Sequence, residues 1–220
     1  LENAWIIPLI PAASFFLILF FGKRLPRKGS ELGVAAVGLA FVLAIATNVQ
    51  WFGHVNDAEH ESETHAEEEV VEEGEHGLAL TDGESATPVV VDAPAAEEEV
   101  HFEVEPVERS WTWFENGGVD IQIGMLLDGP AVMMLFVVTL VSLLVHVYST
   151  DYVAGDQRYT HFFAFLSLFT ASMLGLVIAK STLQLIVMWE LVGVCSFVLI
   201  GHWWEEKANS DAALKAFITN

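Results

Sequence analysis

The stretch 183–204, LQLIVMWELVGVCSFVLIGHWW, is long and apolar enough to cross a bilayer and carries a single acid, Glu190. About 20 predominantly apolar residues span a bilayer core as a helix. An ionised carboxylate near the centre of such a helix costs roughly 2.5–3.5 kcal/mol on insertion scales, so it faces a bundle interior and commonly belongs to an ion or proton pathway. Glu190 is therefore the first candidate for function. The structural alternative is a carboxylate paired with a lysine or a backbone donor on a neighbouring helix.

Outward from this run, four more segments meet the same criterion: 5–21, 32–52, 129–148 and 159–178. A sixth apolar segment opens near Asp211, a residue suited to cap it, and the sequence stops at Asn220. With Leu1 in place of an initiator methionine, the expectation is a piece of a longer protein. Ala36, Ala40 and Ala44 recur at four-residue spacing, as do Ser167, Ala171, Gly175 and Ala179. Small residues in one stripe let helices approach closely in lipid, which predicts a bundle rather than separate anchors.

The chain is 53% hydrophobic yet carries a formal charge of −21. Nineteen of its 30 acidic residues lie in 54–109, so the charge belongs to an insert between spans. No basic stripe is present, which excludes a nucleic-acid surface. The single Cys195 excludes an internal disulfide and a CxxC metal site. AEEEV occurs at 66–70 and again at 96–100, with Pro88 and Pro94 breaking the tract; such composition predicts disorder. His54, His60, His65, His76 and His101 allow weak chelation, but their spacing matches no ligand set, so no metal site is assigned.

Beyond the insert, Val119, Ile121, Ile123 and Met125 alternate with polar or small residues, the period of a strand, and Asn116-Gly117 signals a type I′ turn. The reading is a β-hairpin anchored at the interface by Trp111 and Trp113. Asp128-Gly129-Pro130 then caps the third span. Lys23, Arg24, Arg27 and Lys28 cluster after the first span, which makes that loop cytoplasmic and puts the N-terminus and the insert outside.

The expected fold is thus an all-α polytopic membrane protein, a transmembrane helix bundle with a small extracytoplasmic β-hairpin and a disordered acidic insert. Its organisation is spans one and two over 1–52, insert over 53–110, hairpin over 111–128, spans three to five over 129–204, and the start of a sixth helix over 211–220. Two further residues join Glu190 as proton-transfer candidates. Lys215 is the basic residue of the sixth apolar segment, though a lysine so placed can simply snorkel to water. His146, near the inner end of the third span, titrates near neutrality and can relay protons, or can serve as an interfacial side chain. His161 is a weaker candidate at the same surface. Gly193 and Ser196 leave room beside Glu190 for a partner or a water.

The run FFAFLSLFTASMLGLVIAKSTLQLIVMWELVGVCSFVLIG over 162–201, the ALKAF at 213–217 and the MLLDGP at 125–130 together resemble the N-terminal part of subunit L of proton-translocating NADH:quinone oxidoreductase, respiratory complex I. The most specific part is WE-x-VG-x-CS, 189–196. The resemblance implies an antiporter-like membrane-arm subunit in a bacterial plasma membrane, with other membrane-arm subunits and lipid as partners. It implies that Glu190 pairs with a lysine on a broken seventh helix past Asn220 and that Lys215 is a supporting group. NADH, FMN, iron-sulfur clusters and quinone would sit on partner subunits, with no cofactor in this chain. Two features depart from the pattern: the long acidic insert, and His161 where arginine is common. The rival within the superfamily is a multisubunit sodium/proton antiporter subunit; the rival of another class is a structural or metal-handling membrane scaffold.

Overall fold

The computed structural model describes residues 1–78 and 104–219, with the backbone alone at 61–78, 116 and 119. Its elements are α1 (Ile6–Phe21), a 3₁₀ turn (Gly22–Arg24), α2 (Ser30–Leu78), β1 (Val107–Asn116), β2 (Val119–Leu127), α3 (Gly129–Tyr152), α4 (Tyr159–Val177), α5 (Thr182–Ile200) and α6 (Lys207–Thr219). Among the described residues, five helices are long and apolar enough to cross a membrane: the first five α-helices, α2 through its segment Ser30–His60. The chain divides into two units. One comprises 1–51 and 106–220; the other is 52–105, whose described part is mainly the continuation of α2.

That continuation departs from expectation. The second span was expected to end at Phe52 and give way to disorder, but α2 runs on to Leu78. Ala and Glu are strong helix formers, and no proline interrupts the chain before Pro88. The rest of the expected disorder, over 79–103, lies outside the described residues.

α4 lies at the centre, packed against α1, α3 and α5. Its small-residue stripe works as expected: Ser167, Ala171 and Gly175 are buried, and a Cβ on Gly175 would come within 3.0 Å of the Met188 sulfur on α5. Ala36, Ala40 and Ala44 of α2 are buried too. Asn48 of α2 donates to the Val132 carbonyl of α3 at 3.1 Å. Phe15 and Ile18 of α1 meet Phe163 and Ala164 of α4 in a core closed by Val153 and Tyr159.

At one end sits the hairpin, β1 antiparallel to β2, with a bulge between Thr112 and Phe114. Asn116 pairs with Val119, so the turn residues are Gly117 (φ 58°) and Gly118 (φ 88°), one position later than Asn116-Gly117. Both turn positions need positive φ, which glycine adopts at no steric cost, and the Gly-Gly pair therefore takes the turn. β1 also starts at Val107, four residues before the expected Trp111. The hairpin is tied to the α4–α5 turn: Leu126 N–H donates to the Ile178 carbonyl (3.0 Å), Gly124 N–H to Gln184 Oε1 (2.9 Å), and Lys180 pairs with Glu108 (2.7 Å). Trp111 packs edge-on against Trp5 with Arg109 over its ring, while Trp113 stays exposed. Asp128 accepts from Ala131 N–H at 2.8 Å and caps α3, as expected.

At the opposite end the basic loop, the α3–α4 loop and the α5–α6 loop come together. Thr160 donates to the Lys28 carbonyl (3.0 Å). Asp156 accepts from the Arg158 backbone N–H (2.6 Å) and from Trp203 Nε1 (2.8 Å), and His202 Nε2 lies 3.4 Å from it, an ion-pair distance without hydrogen-bond alignment. Arg158 grips Glu205 with two parallel bonds of 2.8 and 2.9 Å and lies over the Trp204 ring. α5 stops at Ile200, not at Trp204, with Gly201 as its cap, and Ala213 of α6 approaches closely there. α6 begins at Lys207, so Asp211 lies inside the helix and does not cap it.

Two predictions follow from the two ends. A methyl group at Gly124 would strike the Arg109 carbonyl oxygen and the Ser110 Cα, both backbone, so Gly124→Ala forces the strands apart. Its expected cost is about 1–3 kcal/mol, the usual range for overpacking, seen as a lower thermal midpoint of the purified protein. At the other end, the Arg158 backbone N–H, with help from Trp203 and His202, holds the Asp156 carboxyl below its ordinary value, and Arg158 does the same for Glu205. A depressed carboxylate stabilises the fold above its ordinary pKa, and that stability is lost as pH falls through the folded value. Asp156→Asn should therefore lower the midpoint at pH 7 by the equivalent of about 1–2 kcal/mol. The gap should narrow as the pH drops below about 4; a gap independent of pH would exclude this electrostatic account.

Candidate functional site

Glu190 sits near the middle of α5, as the sequence indicates, but on a face that the described helices leave open. Glu190 is exposed and makes no hydrogen bond or ion pair among the described residues. Only 11% of the apolar stretch of α5 is buried, against 56% for α4, so the described helices leave most of the α5 surface open. Gly193 is on the packed side and buried, and Ser196 spends its hydroxyl on the Val192 carbonyl of its own helix (2.9 Å).

Lys215 is on α6, which packs on α5 through buried Ala213 and the Phe197–Phe217 ring contact (5.6 Å). Its side chain is exposed and reaches neither Glu190 nor another acidic group among the described residues. His161 lines a cleft of about 520 Å³ between α4, α5 and α6, together with Arg158 and His202; Glu190 does not line it.

His146 differs most from its expected interfacial place. It is wholly buried, 0% exposed, between α3 and α4. Nδ1 lies 2.8 Å from the Ser142 carbonyl, an acceptor, so the proton of the neutral ring is on Nδ1 and Nε2 is left to accept. Nε2 faces Ser167 Oγ of α4 at 3.4 Å. Ser142 Oγ is 3.5 Å from Nδ1 and is hydrogen-bonded to Thr170 Oγ1 across the helix interface. α2 closes over this seam at Gly33, where a Cβ would stand 3.3 Å from the imidazole and 3.4 Å from Ser167 Oγ.

The structure thus keeps the three sequence candidates apart and joins one of them to hydroxyls that were not singled out as site residues. A signal for them existed: Thr139, Ser142, His146 and Ser149 recur at three- and four-residue intervals in an otherwise apolar span, one helix face. The cluster of Asp156, Arg158, His202, Trp203 and Glu205 had no such signal, because its two halves are about 47 residues apart.

Comparison with known proteins finds relatives over the segments that carry these residues. Residues 113–163 match the family described as NADH-Ubiquinone oxidoreductase (complex I), chain 5 N-terminus, and 179–220 match NADH:quinone oxidoreductase/Mrp antiporter, TM. The chloroplastic NAD(P)H-quinone oxidoreductase subunit 5 of Angiopteris evecta is 51% identical over 110 residues, half of this chain and 14% of the relative. Chain 5 of Synechocystis is 47% identical over 108 residues, 49% of this chain and 16% of the relative. The F(420)H(2) dehydrogenase subunit L of Methanosarcina mazei is 34% identical over 218 residues, 99% of this chain and 25% of the relative. The chain spans a quarter or less of the length of these relatives. By these matches and its five spans, the protein is a multi-pass membrane protein that belongs to the family of antiporter-like membrane subunits of complex I.

Proposed function

We propose that this protein is a proton-translocating membrane-arm subunit of a respiratory NADH:quinone oxidoreductase, moving protons from the cytoplasmic to the outer side while redox chemistry proceeds on partner subunits. The observation that carries the reading is Glu190, a carboxylate in mid-span on the uncovered face of α5, within the segment that matches the oxidoreductase/antiporter family. A charge so placed cannot face lipid without large cost, so a further part of the assembly covers it. A cation brought to that face lowers the proton affinity of Glu190, and its withdrawal restores it, which makes the carboxylate a switch. Lys215 and His146 serve as supporting proton carriers.

In this reading the basic-loop end of the bundle is cytoplasmic, and the N-terminus, hairpin and acidic segment 53–110 lie on the outer side of a bacterial plasma membrane. NADH, FMN, iron-sulfur clusters and quinone are held by other subunits, and this chain contributes the proton path.

Glu190→Gln in the assembled complex should lower NADH-driven proton uptake by inverted membrane vesicles roughly tenfold or more, the usual scale for losing a proton-transfer group. Wild-type pumping by a complex with this variant would remove Glu190 from the path. Pumping that follows sodium in place of NADH oxidation would favour the sodium/proton antiporter, which shares the family matched over 179–220.

A further inference from the structure

Hydroxyls inside apolar helices normally satisfy themselves locally. Thr139 donates to the Leu135 carbonyl (2.7 Å), Ser172 to Leu168 (2.7 Å) and Ser196 to Val192 (2.9 Å), each four residues back in its own helix. Ser142 and Ser167 do not. Among the described residues, the side-chain bonds of Ser142 go to Thr170 and His146, and that of Ser167 goes to His146. The Ser167 hydroxyl faces Nε2 of the fully buried imidazole and the Ser142 oxygen stands beside Nδ1, so both hydroxyls can pass protons between side chains. Thr170 ends the row by donating to the Leu166 carbonyl (3.0 Å), which leaves its oxygen to accept from Ser142.

The seam has a mouth and a far side. One helical turn from His146 toward the basic loop lies buried Ser149, and beyond it a polar cavity of about 350 Å³ lined by Lys28, Ser30, Thr150 and Tyr159. Beyond Ser142 and Thr170 opens a second cleft of about 260 Å³, lined otherwise by apolar residues including Val138, Val141 and Phe169.

We infer that Ser167, His146, Ser142 and Thr170 form a proton relay between α3 and α4, a branch of the path distinct from Glu190. The inference rests on the proton-translocation reading above. In the relay, the Ser167 hydroxyl gives its proton to His146 Nε2 and regains one from water on the basic-loop side, leaving an imidazolium. The imidazolium then releases its Nδ1 proton to Ser142 Oγ as the Ser142 proton moves to Thr170, and Thr170 gives up its own proton to a water in the cleft that it lines. One proton enters and one leaves; the ring is left with its proton on Nε2, and exchange with water from one side returns a proton to Nδ1 before the next cycle. The 3.4 and 3.5 Å steps close by side-chain rotation or through one bridging water.

The test exploits the shape of threonine. Thr170→Val replaces the hydroxyl by a methyl and keeps the volume; Thr170→Ser keeps the hydroxyl and removes the methyl. Each is placed in the full-length protein of the assembled complex beside wild type and Glu190→Gln, and NADH-driven proton uptake is measured per assembled complex in inverted vesicles. The relay requires Thr170→Val to pump at least fivefold more slowly and Thr170→Ser to recover most of the rate. Equal loss in both, or loss in the serine variant alone, assigns Thr170 to packing and overturns the relay, as does a valine variant that pumps like wild type. Where Thr170→Val does not assemble, Ser142→Ala against Ser142→Thr is read the same way. Wild-type pumping by Glu190→Gln sinks the switch without touching the relay, whereas absence of NADH-driven pumping in wild type sinks both.

Discussion

A polar group in the hydrocarbon layer has no water to turn to, and this constraint arranges most of the structure. The chain meets it in three ways. Isolated hydroxyls bond to carbonyls of their own helix, as Thr139, Ser172 and Ser196 do. His146 is enclosed by a small polar set contributed by α3 and α4, with α2 shut over it at Gly33. Glu190 receives neither solution from these helices. A neutral imidazole can be satisfied by two hydrogen bonds, whereas a carboxylate needs a countercharge or several donors. The described helices enclose the one and leave the other open.

The ends of the bundle obey the opposite rule, because there strong charge-assisted bonds are available beside water. Arg158 holds Glu205 with both of its terminal nitrogens, and Lys180 holds Glu108. Exposed pairs of this kind contribute little singly. Their effect here is geometric: they tie loops that enter and leave α4 and α5, and so fix the axial position of Glu190 and of the His146 seam. The hairpin adds backbone bonds at Leu126 and a side-chain bond from Gln184, which hold the start of α5 in register with the start of α3.

Much of this was legible in the sequence, and the part that was not has a common cause. The five spans, the hairpin, the Asp128 cap and the small-residue stripe of α4 all follow from local composition and period. So did the identity of Glu190 as the unusual residue. What periodicity could not provide was the covering of each face. Cost alone turned Glu190 toward a protein interior, and the described helices leave its face open; His146, read as a relay or an interfacial side chain, is buried. The turn of the hairpin slipped by one residue because Asn116-Gly117-Gly118 contains two acceptable pairs, and the strand register, a non-local property, selects the second. α2 outran its span because its acidic continuation is made of helix formers, and charge alone does not end a helix.

The burial of the spans carries the argument one step further. α4 is the least hydropathic of the five yet the most buried, whereas the more hydropathic α5 and α3 are largely exposed. In a soluble protein the order would be reversed. Lipid is as apolar as a leucine side chain, so nothing drives the greasiest surface inward, and the inside goes to helices whose small and polar groups gain from contact. Hydropathy in this family of helices therefore reports exposure. Read that way, the α5 surface is built for an apolar environment everywhere except at Glu190, and the single charge on it marks where that environment must be interrupted by protein.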